Sequence, residues 1–322
     1  MRALPLTALV LGGCLSVAAH AEPDASQWLN RMAKAEQLQS YQGTFVYDRS
    51  GSFSTHDIWH LVQNGKVSER VLQMDGAPLE IVRSNDLTQC VTGSLDAGVD
   101  SAPKPSERKL DPLKLMSWYD LSVAGTSRVA GREAVVVKLA PKDQYRFGFE
   151  WHLDKASAVL LKSLLLDEKS RLLERFQFTR LNPVAPTPAQ LQPSADCKPI
   201  AIAAPGAASP SVEPALAPWH AEWLPAGFEL VQSHMIKGLG GKGQVTRLLY
   251  DDGLSRFSVF VESLNGTTSN DIRTQVGPTA AVSRRLTTPS GELMVTVVGE
   301  IPLGTAERIA LSMRERDGAA SR

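Results

Sequence analysis

The chain has 322 residues, with Lys+Arg 34 against Asp+Glu 34 and a formal net charge of +0 at pH 7. Its 43% hydrophobic and 21% charged residues are the balance of a soluble globular protein with room for two domains of ordinary size. The zero balance removes the electrostatic footprint of a nucleic-acid binder, so no nucleic-acid partner is expected.

The N-terminus, "MRALPLTALVLGGCLSVAAHA", places Arg2 before an apolar run that ends at Ala19-His20-Ala21. Residues 1–21 read as a secretory signal peptide, with the mature chain starting at Glu22 and the periplasm as its compartment. Leu11-Gly12-Gly13-Cys14 is an alternative lipoprotein box with Cys14 as the lipidated residue. No other apolar stretch reaches the ~20 residues of a spanning helix. After cleavage only Cys90 and Cys197 remain. In an oxidising compartment they suggest one disulfide, with two buried free thiols as the alternative.

Residues 22–182 form the expected first domain. "DASQWLNRMAKAEQLQSY" carries apolar residues at helical spacing behind Ser26, a predicted cap. Short β-branched and aromatic runs follow, separated by the turn signals "RSGS", "QNGK" and "MDGAP". His56 and His60 in "THDIWH" would face one way on a helix and could chelate a metal. The flanking pattern makes the segment a strand, where i and i+4 lie about 13 Å apart, so no metal site is expected. "ERKLDPLKLMSW" is a short helical piece, after which strands resume to residue 182. About ten strands with hairpin-length connections predict an antiparallel meander.

Residues 183–218, rich in Pro and Ala, read as a linker. Residues 219–322 predict a smaller antiparallel α+β domain of four or five strands. It has hairpin turns at Asp252-Gly253 and Pro289-Ser290-Gly291 and a closing helix capped by Thr305. The Gly-rich "KGLGGKGQ" reads as a loop between strands rather than a phosphate cradle. No nucleophile elbow, zinc-protease motif, phosphate loop or dinucleotide fingerprint occurs, and neither an enzyme nor a cofactor is expected. The fold class is therefore α+β and β-rich. Apolar runs such as "FGFEW" and "VLLKSLLL" could line a cavity for acyl chains or fill a plain core under one helix.

"QGTFVYDRSGSFSTHDIWH", "SWYDL", "GFEWHLD", "LKSLLLDEKSRLLERFQFT", "WLPAGFEL", "DGLSRFSVFVE" and "VTVVGEIPLGTAERIA" resemble the MucB/RseB family of periplasmic stress regulators, from about Asp24 to Met313. The resemblance implies a large open antiparallel half-barrel, similar to lipoprotein carriers, joined to a smaller domain. It also implies binding to the periplasmic part of a membrane anti-sigma factor and shielding of that factor from site-1 proteolysis. Lipopolysaccharide or a related lipid would release the complex. A lipid or lipoprotein carrier without a regulatory partner is the alternative, and a homodimer is one possible assembly. The expected lipid-lining residues are Phe45, Trp59, Leu72, Phe147, Phe149 and Leu164. Arg284, Arg285 and the "KGLGGKG" loop are the candidate partner contacts on the second domain.

Overall fold

The structure, a computed structural model, describes residues 24–84, 87–92, 111–199, 211–212, 217–237, 243–264, 266, 270–289 and 291–316. Residues 1–23, which hold the expected signal peptide and Cys14, residues 200–210 and 213–216 of the expected linker, and residues 238–242 of the "KGLGGKG" loop lie outside the described residues.

Helix α1 (Ala25–Leu38) buries Trp28, Leu29, Met32 and Ala35, one stripe at helical spacing. Its cap is Asp24, whose carboxylate accepts from the Gln27 amide at 2.8 Å. Ser26 instead donates its hydroxyl to Asp24. A carboxylate is the stronger acceptor at a helix N-terminus, which corrects the expected cap.

Strands β1 (Tyr41–Arg49), β2 (Ser52–Gln63), β3 (Lys66–Gln73), β4 (Glu80–Ser84) and β5 (Leu87–Thr92) follow. After α2 (Pro112–Leu115) come β6 (Tyr119–Val129), β7 (Arg132–Pro141), β8 (Gly148–Asp154), β9 (Leu160–Leu166) and β10 (Leu172–Asn182). The "QNGK" signal is a tight turn with Asn64 at φ 53 and Gly65 at φ 72, the positive pair that a type I′ hairpin requires. With β11 (Lys198–Pro199), these strands make one antiparallel sheet in the order β11-β5-β4-β3-β2-β1-β10-β9-β8-β7-β6.

The sheet is rolled. In a flat sheet β6 would lie four spacings, about 19 Å, from β10. Instead Val129 at the end of β6 shares a core with Phe178 of β10 and with Phe45 and Ile58. Helix α1 packs over Val135, Val137, Leu139, Trp151 and Leu153. Its C-terminal end also reaches β2, where the Glu36 carbonyl lies 2.9 Å from His60 Nε2. This is the expected open half-barrel, with its interior filled by α1 and aromatic rings.

The first unit runs on past residue 182 to Pro199. The Cys90–Cys197 disulfide, with a sequence separation of 107, ties β5 to the segment entering β11. Buried Glu80 accepts from Arg70 Nε at 2.7 Å and from the Ser194 amide, and Arg70 donates onward to the Gln190 carbonyl. The early part of the Pro/Ala-rich stretch is therefore packed against β3–β5.

The second unit contains β12 (Ser211–Val212), β13 (Trp219–Ala221), β14 (Glu229–Lys237), β15 (Gln244–Asp251) and β16 (Arg256–Ser263). It continues with β17 (Ile272–Val276), β18 (Thr279–Thr288), β19 (Gly291–Gly299), α3 (Leu303–Ser312) and β20 (Met313–Glu315). Seven strands pair as β12-β14-β15-β16-β19-β18-β17, and β13 pairs with β20. That exceeds the four or five expected, because short, mostly exposed β17 carries too weak an alternation to register as a strand and the two-residue β12 falls within the stretch read as linker. Ile309 and Ala310 of α3 close the core over Val282, Val295 and Val297. Thr305 is not the cap of α3. The helix begins after Pro302, which has no side-chain cap, and Thr305 is buried in its first turn.

Two buried histidines make stability pH-dependent. Burial lowers the pKa of His56, and burial together with Lys162 lowers that of His152. A depressed histidine pKa means that the unfolded chain takes up the proton first. The stability these groups contribute is therefore present at neutral pH and is lost as pH falls from about 6.5. Glu174 and Asp252, whose carboxyls burial pushes up, act in the opposite sense. The test is thus a difference between proteins. The fall in Tm from pH 7.5 to 5.5 should be shallower in H152Q than in the wild type, and equal slopes would refute the assignment.

Candidate functional site

The six expected lipid-lining residues fall on two faces. Phe45 stacks on His56 with ring centroids 4.9 Å apart and lies 4.8 Å from Phe176. It is a core residue of the rolled interior. Phe149 belongs with Trp151 and Tyr119 in the core under α1, and Phe147, just before β8, is also buried.

Trp59 and Leu72 point the other way. Phe45 opposes His56 and Ile58 opposes Val71, whereas Trp59 opposes Arg70 and Asp57 opposes Leu72. Leu164, paired with Glu150 and Arg175, shares that outer face. The six residues cannot line one cavity, because successive strand residues alternate sides and the expectation mixed the two parities. Trp59 instead borders a shallow depression of about 190 Å³ with Gln42, Asp57, Arg180 and Asn182, and the Arg70 guanidinium sits 5.1 Å from its ring.

Arg284 and Arg285 divide similarly. Arg284 is 15% exposed and ion-pairs with Glu307 of α3 and with Asp271. It is a strut within the second unit, and it also holds the Glu307 carboxyl below its usual range, together with Arg273. Arg285 is 39% exposed, with Glu292 at 3.8 Å, and remains on the surface.

The polar centre that the sequence did not reveal lies between the two units. Arg146, in the loop entering β8, is fully buried along with Asp252 in the β15–β16 turn. Arg146 Nη1 donates to Asp252 Oδ2 at 2.7 Å, and Nη2 donates to the Ala226 carbonyl at 2.5 Å. On its own side it makes two bonds to Asp143, at 3.1 and 2.9 Å. Asp252 Oδ1 meanwhile accepts from the amides of Leu254 and Ser255, which fixes the turn. Leu254 from that turn packs into the core under α1, and the guanidinium lies 5.2 Å from the Phe228 ring.

Around this centre Arg308 stacks 3.8 Å from the Trp223 ring and donates to the Tyr145 hydroxyl at 3.0 Å. Lys114 pairs with Glu229. At a second contact Arg49 reaches Glu300 at 3.1 Å and also bonds Thr279. These contacts join residues 80 to 251 positions apart, so no local pattern announces them. Among the described residues no group of three or more His, Cys, Asp or Glu is placed to hold a metal, and no helix is long and apolar enough to cross a membrane.

The sequence matches the MucB/RseB N-terminal domain over residues 24–195 and the MucB/RseB C-terminal domain over residues 213–314. It is 52% identical to the sigma factor AlgU regulatory protein MucB of Pseudomonas aeruginosa, over 97% of each chain. The structure is similar to the Pseudomonas aeruginosa MucA/MucB complex, with a TM-score of 0.81 at 52% identity, covering 91% of this chain and 99% of that one. A crystal structure of MucB gives a TM-score of 0.65 at 50% identity, covering 91% and 98%.

Proposed function

The chain belongs to the MucB/RseB family, and from that premise we propose that it is a periplasmic regulator of a sigma factor, acting through the periplasmic part of a membrane anti-sigma factor. Bound there, it covers the site of the first proteolytic cut, and lipopolysaccharide or a related lipid releases it. The observation that carries this reading is the likeness in whole-chain arrangement to MucB bound to MucA. It extends over both units, covering 91% of this chain, whereas an isolated carrier domain would match only the first.

The physical requirement is a switch by differential binding. A lipid displaces the partner only if it prefers the partner-free state. The interior of the half-barrel is occupied by α1 and by Phe45, Phe176 and Phe178, so acyl chains entering there would have to move α1. The lipid-facing set we retain for that route is Phe45, Phe147 and Phe149. Trp59, Leu72 and Leu164 belong to the outer face and to a separate, shallower contact.

A stable interface needs about 800 Å² per partner, which two docked units supply more readily than one. The test is binding of MucA(peri) to residues 22–322, 22–199 and 211–322, with lipopolysaccharide titrated into the preformed complex. The whole mature chain should bind at least tenfold tighter than either part, and lipopolysaccharide should displace it. A single part that binds as tightly as the whole, or a complex that saturating lipopolysaccharide leaves intact, would overturn the corresponding half of the reading.

A further inference from the structure

We propose that the buried Arg146–Asp252 pair is the positioning contact that sets the two units in the arrangement that accepts the partner. This rests on the partner-binding reading above, and names the contact by which that surface is assembled and released.

The junction contains several polar contacts of unequal kind. Lys114–Glu229 and Arg49–Glu300 are between 32% and 65% exposed, so water and salt screen them. Arg146 and Asp252 are both at 0%. A dry charge pair behaves differently from a wet one. Any partly opened arrangement that separates the two without admitting water strands a charge, so intermediate arrangements are excluded. In a fully open arrangement both groups regain their hydration, and the desolvation that docking demanded is returned. The pair therefore specifies one docked geometry while adding little net stability to it. A protein that must be gripped by one ligand and released by another needs that combination. A purely apolar junction of the same size would hold the docked state more tightly and switch less readily.

The local chemistry supports a positioning role. Arg146 is pre-aimed by Asp143, which takes two of its N–H groups from within the same loop. The second unit then completes the shell with one carboxylate oxygen and one backbone carbonyl. Asp252 is likewise fixed before docking, since its other oxygen closes the β15–β16 turn. Two preformed halves meet with little side-chain ordering left to do. The same turn delivers Leu254 into the core under α1, so loss of the pair is felt at the helix that fills the half-barrel.

The experiment uses the full mature chain in three variants: R146M, D252N and R146M/D252N. An Asn at 252 can still accept from Leu254 and Ser255, so D252N removes the charge and keeps the turn. The readings are affinity for MucA(peri) and radius of gyration by solution scattering, with far-ultraviolet circular dichroism as the check on folding. R146M, which leaves Asp252 buried without its cation, should weaken binding at least tenfold and enlarge the radius. R146M/D252N, neutral on both sides, should recover part of both, a rescue that a merely structural role for Arg146 would not give. R146M within twofold of wild type at unchanged radius, or a double variant no closer to wild type than R146M, overturns the proposal. Should R146M fail to fold, D252N decides: unchanged affinity and radius refute the proposal, and a loss in both supports it. If the wild type itself does not bind MucA(peri), the functional reading fails, while the scattering comparison still judges the latch.

Discussion

Reducing the Cys90–Cys197 bridge, or replacing either cysteine by serine, should destabilise the first unit by about 4–5 kcal/mol. The bridge closes a loop of 107 residues, and the chain-entropy account of cross-linking gives roughly that figure for a loop of this length. The effect should act mainly through the unfolded chain, because the native contacts beside the bridge are few. β11 contributes only the two pairs Lys198–Val91 and Pro199–Cys90. Both cysteines are buried in a small cluster with Val82, so their substitution adds a modest packing loss. The segment from 183 to 199 should loosen first, since beyond the bridge it is anchored chiefly by Ser194 on Glu80 and by Arg70 on Gln190. Urea unfolding of the oxidised and reduced protein measures this. Equal midpoints, or mass spectrometry showing two free thiols in the unreduced protein, would contradict it.

The bridge was legible in the sequence because cysteine count and compartment suffice to suggest it. So was α1, whose apolar spacing admits only one period, and the β2–β3 hairpin, where Asn64-Gly65 leaves few alternatives. The strand nature of His56 and His60 followed from the same alternation, and each has a local partner: Ser54 for His56, Glu69 and the Glu36 carbonyl for His60. Which face looks inward was not legible. Phe45 and Trp59 are equally apolar, and a register shift between Thr44 and Phe45 in the β1–β10 pairing changes which residues share a side. Nor was the junction. Arg146 in "DQYRFGF" and Asp252 in "YDDGL" read as a loop arginine and a turn aspartate, and only the docking of two separately folded units makes them partners. The helix caps were misplaced for a simpler reason: Asp24 lies two residues before Ser26, and Pro302 three before Thr305, the residues that looked the better candidates.

Substituting Gly227 by alanine should undock the two units while leaving each folded. Gly227 lies in the second unit with φ +90, and a Cβ built there would fall 2.5 to 2.7 Å from three atoms of the Trp118 indole in the first unit. Two costs add. A side chain held in the left-handed region costs about 1–2 kcal/mol, and forcing a methyl into a filled contact costs about 1–3 kcal/mol. The indole cannot easily retreat, because Trp118 is 9% exposed and packed with Leu115 and Tyr119 in the core under α1. The easier response is for the second unit to move away, and that movement would open Arg146 and Asp252 to water. G227A should therefore lower MucA(peri) affinity at least tenfold, while the separate unfolding transitions of the two units shift little. W118A supplies the control, since it removes the ring that the new methyl meets. In the W118A background the same Gly227 substitution should cost much less than in the wild type, because only the backbone term remains. If G227A binds MucA(peri) as the wild type does, or if its cost is the same with and without the Trp118 ring, the close packing of Gly227 on Trp118 is not what holds the partner-binding arrangement together.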